Sequence, residues 1–163
     1  MRKVAALGLF AGLVLALSAP VPAMAQPCEI TGTNGNDSLT GTASNDVICG
    51  RAGKDRVAGL GGADELRGGR GRDTVYAGRG PDIVLGGADG DTLLGQAGND
   101  RVWGGLGADV LVGGARGDQL RGGPGPDIID ARDGGPDVVV GGDGADTCYV
   151  DPADSVTGCE STP

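Results

Sequence analysis

Aspartate recurs at a fixed interval through most of this chain. Eleven aspartates stand at every ninth residue, and two more continue the series after a slip of one residue. The full set, here called the ladder, is Asp37, Asp46, Asp55, Asp64, Asp73, Asp82, Asp91, Asp100, Asp109, Asp118, Asp127, Asp137 and Asp146. Ca²⁺ prefers hard oxygen ligands, and a fixed interval on a repeating backbone returns each carboxylate to the same place. The ladder therefore predicts a row of calcium sites.

The residues around each aspartate repeat in rows of nine. Glycine fills position one in eleven of the thirteen rows and position four in ten, and the ladder aspartate is always at position six. Position eight is aliphatic in twelve rows, at Leu39, Ile48, Val57, Leu66, Val75, Val84, Leu93, Val102, Leu111, Leu120, Ile129 and Val139, with Cys148 in the thirteenth. Glycine permits the positive φ angles of a tight turn, and positions seven to nine place one aliphatic side chain between two outward neighbours. Each row thus predicts a turn and a three-residue strand, and two rows predict one coil with parallel strands in two facing sheets.

Many rows fit one known repeat at every fixed position. The row from Gly104 to Val112 reads Gly-Gly-Leu-Gly-Ala-Asp-Val-Leu-Val. This pattern resembles the RTX, or hemolysin-type, calcium-binding nonapeptide repeat, G-G-x-G-x-D-x-U-x, where U is a large aliphatic residue. The resemblance covers residues 32–149 and implies an all-β fold, a right-handed parallel β-roll (β-solenoid) of about thirteen nine-residue half-coils. It also implies calcium ions between successive turns, held by ladder carboxylates and by backbone carbonyls of turns such as Gly68, Gly71, Gly104, Gly107, Gly122 and Gly125.

Some rows depart from the repeat. Ser44, Asp89 and Arg116 replace the position-four glycine, and in the last two of these rows Gly90 and Gly117 would move the flexible residue one place along. The row at residues 131–140 has one extra residue, which should bulge its loop. The aspartates expected to bind calcium weakly are Asp46, Asp91, Asp118 and Asp137. By the family geometry we expect about eight to eleven ions.

The ladder also bears on folding. Same-edge aspartates come from rows two apart, roughly 4.8 Å from each other in a parallel stack. Two unit charges at that distance repel by about 1 kcal/mol in water and by several times more at a lower effective dielectric. We therefore expect calcium binding and folding to be coupled. A metal-free solenoid and a disordered low-complexity chain are the alternatives.

The ends of the chain predict its location. Residues 1–25 have the layout of a secretory signal peptide, with Arg2 and Lys3, an apolar run, and then Ala-Met-Ala before Gln26. An uncleaved membrane anchor is the alternative. Residues 26–31 and 150–163 are predicted to be the N-terminal and C-terminal caps of a β-roll at residues 32–149. The protein is predicted to be secreted and extracellular.

Four cysteines lie near the two ends of the repeat, and an exported chain can oxidise them. Three pairings are open, of which we favour Cys28–Cys49 and Cys148–Cys159, because each joins a flank to the nearer end of the repeat. Zinc is the alternative, but the chain has no histidine and no CxxC motif.

Composition restricts the function. The chain has no histidine and no Gly-x-Ser-x-Gly motif, so it is predicted not to be an enzyme. Its formal charge of -9 argues against nucleic acid and anionic membranes as partners.

Two functions from different classes stay open. The first is a secreted calcium-binding protein that folds on binding several Ca²⁺ ions. The second is an extracellular adhesive or structural protein in which calcium is scaffolding and the protein or cell-surface partner is unidentified. Ice binding would need regular outward Thr and Asn rows, and the row that Thr33, Asn34 and Thr42 begin stops there.

Overall fold

The computed structural model describes residues 26–160. The predicted signal peptide and the last three residues of the predicted C-terminal cap lie outside this range. The described strands are β1 (Ile30–Thr31), β2 (Ser38–Thr40), β3 (Val47–Ala52), β4 (Arg56–Gly61), β5 (Glu65–Arg70), β6 (Thr74–Arg79), β7 (Ile83–Ala88), β8 (Thr92–Ala97), β9 (Arg101–Leu106), β10 (Val110–Ala115), β11 (Gln119–Pro124), β12 (Ile128–Asp130), β13 (Val138–Asp143), β14 (Thr147–Tyr149) and β15 (Ser155–Thr157). Within these residues no helix is long and apolar enough to cross a membrane.

The strands form two parallel sheets. The eight-stranded sheet has the order β1-β3-β5-β7-β9-β11-β13-β15, and the seven-stranded sheet has the order β14-β12-β10-β8-β6-β4-β2. Alternate strands of the chain therefore pair, as Val57 of β4 does with Val75 of β6. The chain is an all-β parallel solenoid of about seven turns, which confirms the predicted β-roll class.

Strand length differs from the prediction. Ten strands are six residues long, because pairing continues through the first three positions of the next row. Leu60 pairs with Gly78 and Gly61 with Arg79, and the Gly53 N–H donates to the Arg70 carbonyl at 2.9 Å. The prediction of three-residue strands is wrong here because each turn stacks on the turn one coil away, and the stacking continues the backbone ladder around the corner.

The core is a single file of side chains between the sheets. The position-eight residues from Ile48 to Val139 are 0–1% exposed, whereas Leu39 at the N-terminal end is only partly buried. The side chains on either side of each buried residue point outward, as the alternation in β6 shows at Thr74, Val75 and Tyr76. The core is therefore one side chain thick, and the path of each coil depends on the conformation of its turns.

Disulfides join both flanks to the solenoid. Cys28 is bonded to Cys49 and Cys148 to Cys159, with Cα atoms 5.9 and 6.0 Å apart. The flanks also add strands, since β1 pairs with β3 and β15 pairs with β13. The C-terminal flank thus extends the eight-stranded sheet by one strand.

Candidate metal centre

Each turn from Gly50 onward is built on left-handed backbone. In the turn that leads to Asp55, Arg51 at position two and Gly53 at position four have φ angles of 85° and 115°. Glycine adopts this conformation without steric cost, which explains why it recurs at these positions. Within residues 26–160, the residues other than glycine that adopt it are Arg51, Leu60, Asp89, Gln96 and Arg116.

Two of these residues correct an expectation from the sequence. Asp89 and Arg116 themselves hold the left-handed position-four conformation, with φ of 76° and 94°, and Gly90 and Gly117 do not take it over. Asp89 follows the turns stacked on it, since the position-four glycines Gly71 and Gly107 have φ angles of 104° and 135°. At both turns a side-chain carboxylate accepts a backbone N–H from the neighbouring coil. Asp89 Oδ2 accepts the Gly71 N–H at 3.2 Å, and Asp133 Oδ2 accepts the Arg116 N–H at 2.5 Å.

The ladder aspartates are joined along each edge of the solenoid. From Asp55 onward, Oδ1 of each ladder aspartate accepts the backbone N–H of the ladder aspartate one coil earlier, as Asp100 does from Asp82 at 2.8 Å. The extra residue of the loop before Asp137 changes the interval from eighteen to nineteen residues without breaking this chain, since the Asp118 N–H still reaches Asp137 Oδ1 at 2.7 Å. One oxygen of each of these carboxylates is therefore used to hold the coils together.

The other oxygen is buried without a partner in most of the ladder. Eleven aspartates have an Oδ2 that is out of contact with solvent and accepts no hydrogen bond, namely Asp55, Asp64, Asp73, Asp82, Asp91, Asp100, Asp109, Asp118, Asp127, Asp137 and Asp146. A buried carboxylate oxygen is costly unless a cation or hydrogen-bond donor compensates it. Asp91, Asp118 and Asp137, which the sequence marked as weak, have the same arrangement as the other eight.

A second oxygen faces the same space in many turns. A side-chain carbon added to Gly50 would lie 2.5 Å from Asp55 Oδ2 and 2.5 Å from the carbonyl oxygen of Gly68, one coil on. Gly86 repeats this with Asp91 Oδ2 and the Gly104 carbonyl, each at 2.5 Å. Glycine at position one thus leaves a carboxylate and a carbonyl oxygen facing one space, a donor set that suits Ca²⁺.

The predicted carbonyl ligands separate into two groups. The carbonyls of Gly68, Gly104 and Gly122 are at position one and face the glycine and carboxylate of the preceding coil. The position-four carbonyls of Gly107 and Gly125 face the position-four glycine of the next coil instead. A ligand role for the carbonyls of Gly71, Gly107 and Gly125 stays a prediction.

Carboxylates alone do not complete a site. Within residues 26–160, no group of three or more acidic, cysteine or histidine side chains converges on one point. A cation in these turns would therefore take its remaining ligands from backbone carbonyls or water, as Ca²⁺ commonly does.

The middle of the ladder has raised pKa values. Burial raises the pKa of Asp91 and of Asp100 to about 7, against the lowering effect of the backbone N–H that each accepts, and neighbouring ladder carboxylates add to the rise. Burial likewise raises the pKa to about 6 for Asp73, Asp82, Asp118, Asp127 and Asp137. For Asp137 the carboxylates that add to the rise, Asp133, Asp151 and Asp154, lie outside the ladder. The turns therefore hold negative charge poorly without a cation.

The first two aspartates of the ladder are satisfied by the protein itself. Asp46 Oδ2 accepts the N–H of Thr42 at 2.6 Å and its Oγ1 hydroxyl at 3.0 Å. Asp37 Oδ2 accepts the same two groups from Thr33 at 2.6 and 2.9 Å. Because both threonines stand at position two outside the left-handed region, their N–H groups point to the carboxylate. The Gly-Thr start of both rows was the available signal for this difference.

The C-terminal end continues the ladder with residues that the sequence analysis did not assign. Asp154 Oδ1 accepts the Asp137 N–H at 3.0 Å, and Glu160 Oε2 accepts the Asp146 N–H at 2.5 Å. The order Asp154-Ser155-Val156 repeats the spacing of aspartate and aliphatic residue in each row, and this was the signal for a further strand.

Comparison with protein families agrees with this geometry. The model of the RTX calcium-binding nonapeptide repeat (4 copies) matches residues 29–57, 50–84, 58–93, 85–115, 112–147 and 133–152. These matches together span most of the chain, which therefore belongs to the RTX calcium-binding repeat family. No curated protein matches the chain.

Proposed function

We propose that this protein is a secreted calcium-binding roll that folds as Ca²⁺ ions enter between its successive turns. Asp55 to Asp146 of the ladder supply one carboxylate oxygen each, and position-one carbonyls such as those of Gly68, Gly104 and Gly122 supply further ligands. Up to eleven turns are of this kind. The turns at Asp37 and Asp46 take no ion of their own, because threonine fills that role.

The observation that carries this proposal is the set of eleven buried, unpartnered Oδ2 atoms. They recur at one place in successive turns, so a single defect of packing does not account for them. A divalent cation would satisfy two coils at once, and its charge would offset the repulsion along each edge. Binding free energy of this kind is also folding free energy when the unfolded chain has no preformed site.

Two features support secretion. The two disulfides are of the kind that persists in oxidising compartments, and residues 1–25 have the composition of a signal peptide. The calcium affinity expected of an extracellular module is about 10⁻⁴ to 10⁻³ M. The role proposed is structural binding rather than catalysis, because the ladder carboxylates are each engaged between coils.

A calcium titration of the oxidised protein tests the proposal. Circular dichroism should report a gain of β-signal, and calorimetry should report several bound ions, as calcium rises to about 10 mM. Magnesium is the matched control, since it demands a smaller octahedral site and should not replace calcium at the same concentration. The proposal is wrong if the protein binds no calcium at that concentration, or if its β-signal is complete in chelator.

A further inference from the structure

Most acidic residues of the protein are in the ladder. Of the twenty-two acidic residues, thirteen form the ladder, and nine lie outside it. Eleven of the thirteen basic residues lie in the chain after residue 25, so they outnumber the acidic residues outside the ladder. Once cations neutralise the ladder, the remaining side chains carry a formal excess of two positive charges, from eleven basic and nine acidic residues.

This surface charge is unevenly distributed along the solenoid. Between residues 26 and 121, ten basic residues accompany three acidic residues outside the ladder, Glu29, Glu65 and Asp89. Between residues 122 and 160, Arg132 accompanies six acidic residues outside the ladder. The N-terminal coils thus carry the positive charge, and the last coils carry the negative charge.

Four cations gather on the turns of one edge. Arg51 and Lys54 lie in the turn before Asp55, and Arg70 and Arg72 lie in the turn before Asp73, one coil on. The pairing of Arg51 with Gly69 and of Ala52 with Arg70 sets the two turns side by side. All four side chains are exposed, and they are named here the edge cluster.

Within residues 26–160 no ion pair joins a side chain of the edge cluster to a carboxylate, although Asp89 Oδ2 on the next coil accepts the Gly71 N–H between Arg70 and Arg72 at 3.2 Å. The ion pairs there join Arg67 to Glu65 and Arg132 to Asp130. A groove of about 460 Å³ opens beside Lys54 and Arg72, and its lining includes Thr74 and Thr92 together with the ladder aspartates Asp73 and Asp91. Cations beside such a groove can bind an anionic group, and the hydroxyl groups can hydrogen-bond to the polymer that carries it.

We propose that the edge cluster of the calcium-loaded protein binds an acidic polysaccharide through its carboxylate or sulfate groups. Arginine matches both anions with paired N–H donors, and the two adjacent turns of the edge cluster place a short row of cations about 4.8 Å apart along the axis. An extended polymer with an anionic group on successive sugars can follow such a row. Calcium acts on this surface indirectly, by neutralising the ladder below it.

Two other polyanionic partners lack a matching feature on this edge. Single-stranded nucleic acid is usually held by aromatic side chains on which its bases stack, and the described aromatics, Tyr76, Trp103 and Tyr149, lie outside the two turns of the edge cluster. Membrane surfaces are usually bound with an apolar face beside the cations, and the large exposed apolar residues, such as Leu60 and Leu106, also lie outside these turns. A hydrated sugar polymer needs neither feature.

Binding of three dextrans to the calcium-saturated protein tests the proposal. Neutral dextran, carboxymethyl-dextran and dextran sulfate share one backbone, so they separate the charge from the sugar. At about 50 mM NaCl both charged polymers should bind, with an affinity that falls as salt rises, and neutral dextran should not. The triple variant Lys54→Gln, Arg70→Gln, Arg72→Gln should lower this affinity by about tenfold or more and reduce the salt slope by about two to three.

A matched variant separates the edge cluster from net charge. Arg79→Gln, Arg101→Gln, Arg116→Gln removes three exposed cations outside the two turns of the cluster and should lower the affinity by less than about threefold. Equal losses in the two variants, absence of binding to either charged dextran, or tighter binding of duplex DNA would each overturn the proposal. Calorimetry with calcium alone, on both variants, shows independently whether the calcium-binding function holds.

Discussion

Asp100 Oδ1 accepts the backbone N–H of Asp82 at 2.8 Å, while Oδ2 of the same carboxylate is buried without a donor. The two oxygens of one side chain thus have different tasks. Oδ1 holds neighbouring coils in register, and Oδ2 is left for a cation. This separation allows the two tasks to be tested one at a time.

Asp100→Asn keeps an oxygen acceptor for the Asp82 N–H and removes the negative charge at the cation site. We expect the variant to bind fewer calcium ions and to need several times more calcium for its β-signal, since charged ligands set the affinity. Calorimetry and circular dichroism measure the two effects. Asp37→Asn is the matched control, because Thr33 already satisfies Asp37, and its calcium response should stay close to that of the original chain. Equal effects in both variants would contradict the assignment.

Thr42→Gly tests whether threonine takes the place of an ion. Glycine can adopt the left-handed conformation that position two has in later turns, which would free Asp46 Oδ2 from its two threonine donors. We expect one additional bound calcium by calorimetry, because the freed Oδ2 would then match those of the later turns. Thr40→Gly, in the neighbouring strand β2, is the control and should leave the stoichiometry unchanged. An unchanged ion count in the Thr42 variant would count against the substitution of threonine for calcium.

Acidification should affect the metal-free and calcium-loaded proteins in opposite ways. Burial raises the pKa of Asp91 and Asp100 to about 7, above the value of about 3.9 for an unfolded aspartate. The charged form therefore destabilises the metal-free roll above about pH 7, and this effect disappears as pH falls through about 7 toward 4. In chelator we expect the β-signal to increase on acidification. In calcium we expect the midpoint concentration to increase, because protons compete with the ion. A metal-free β-signal that decreases over this range would contradict the prediction.

Leu60→Gly should stabilise the calcium-loaded protein. Leu60 holds a φ of 81° at an exposed position two, where most later rows have glycine. Relief of left-handed strain should outweigh the added freedom of the unfolded chain and raise the free energy of unfolding by about 0.5–1 kcal/mol. Leu106→Gly is the control, since Leu106 is equally exposed but lies outside the left-handed region, and it should lower stability by a similar amount. Urea denaturation in saturating calcium measures both.

The period of the repeat was enough to predict the fold and much of the candidate site. Glycine, aspartate and aliphatic residues at fixed positions specified the coil, the buried row and the places of the carboxylates, because a solenoid applies one local geometry many times. Two details depended on contact between coils. Asp89 adopts left-handed backbone in line with Gly71 and Gly107 on the turns stacked on either side of it, whereas Arg116 shares this conformation with Gly134 on one side only. The role of Thr42 required the direction of its N–H group, which follows from φ rather than from residue type.

The flanks show the same limit. Glu160 continues a series of aspartates from outside the repeat, and its longer side chain reaches an N–H that no nine-residue spacing would assign to it. Asp154 could be found from its spacing to Val156, whereas Glu160 could not. At the end of the repeat, a residue can replace a ladder aspartate if its side chain is long enough to contact the free N–H. Whether it does so depends on the conformation of the final loop.

Thr33 and Thr42 at one end and Asp154 and Glu160 at the other give the solenoid two finished faces made from its own residues. Between them an eighteen-residue unit repeats, apart from the extra residue at 131–140, and each unit adds about 4.8 Å of height. The length of the solenoid can therefore change without any change in the residues that finish its two ends. A whole unit inserted or removed in the middle would give a longer or shorter solenoid with the same two ends.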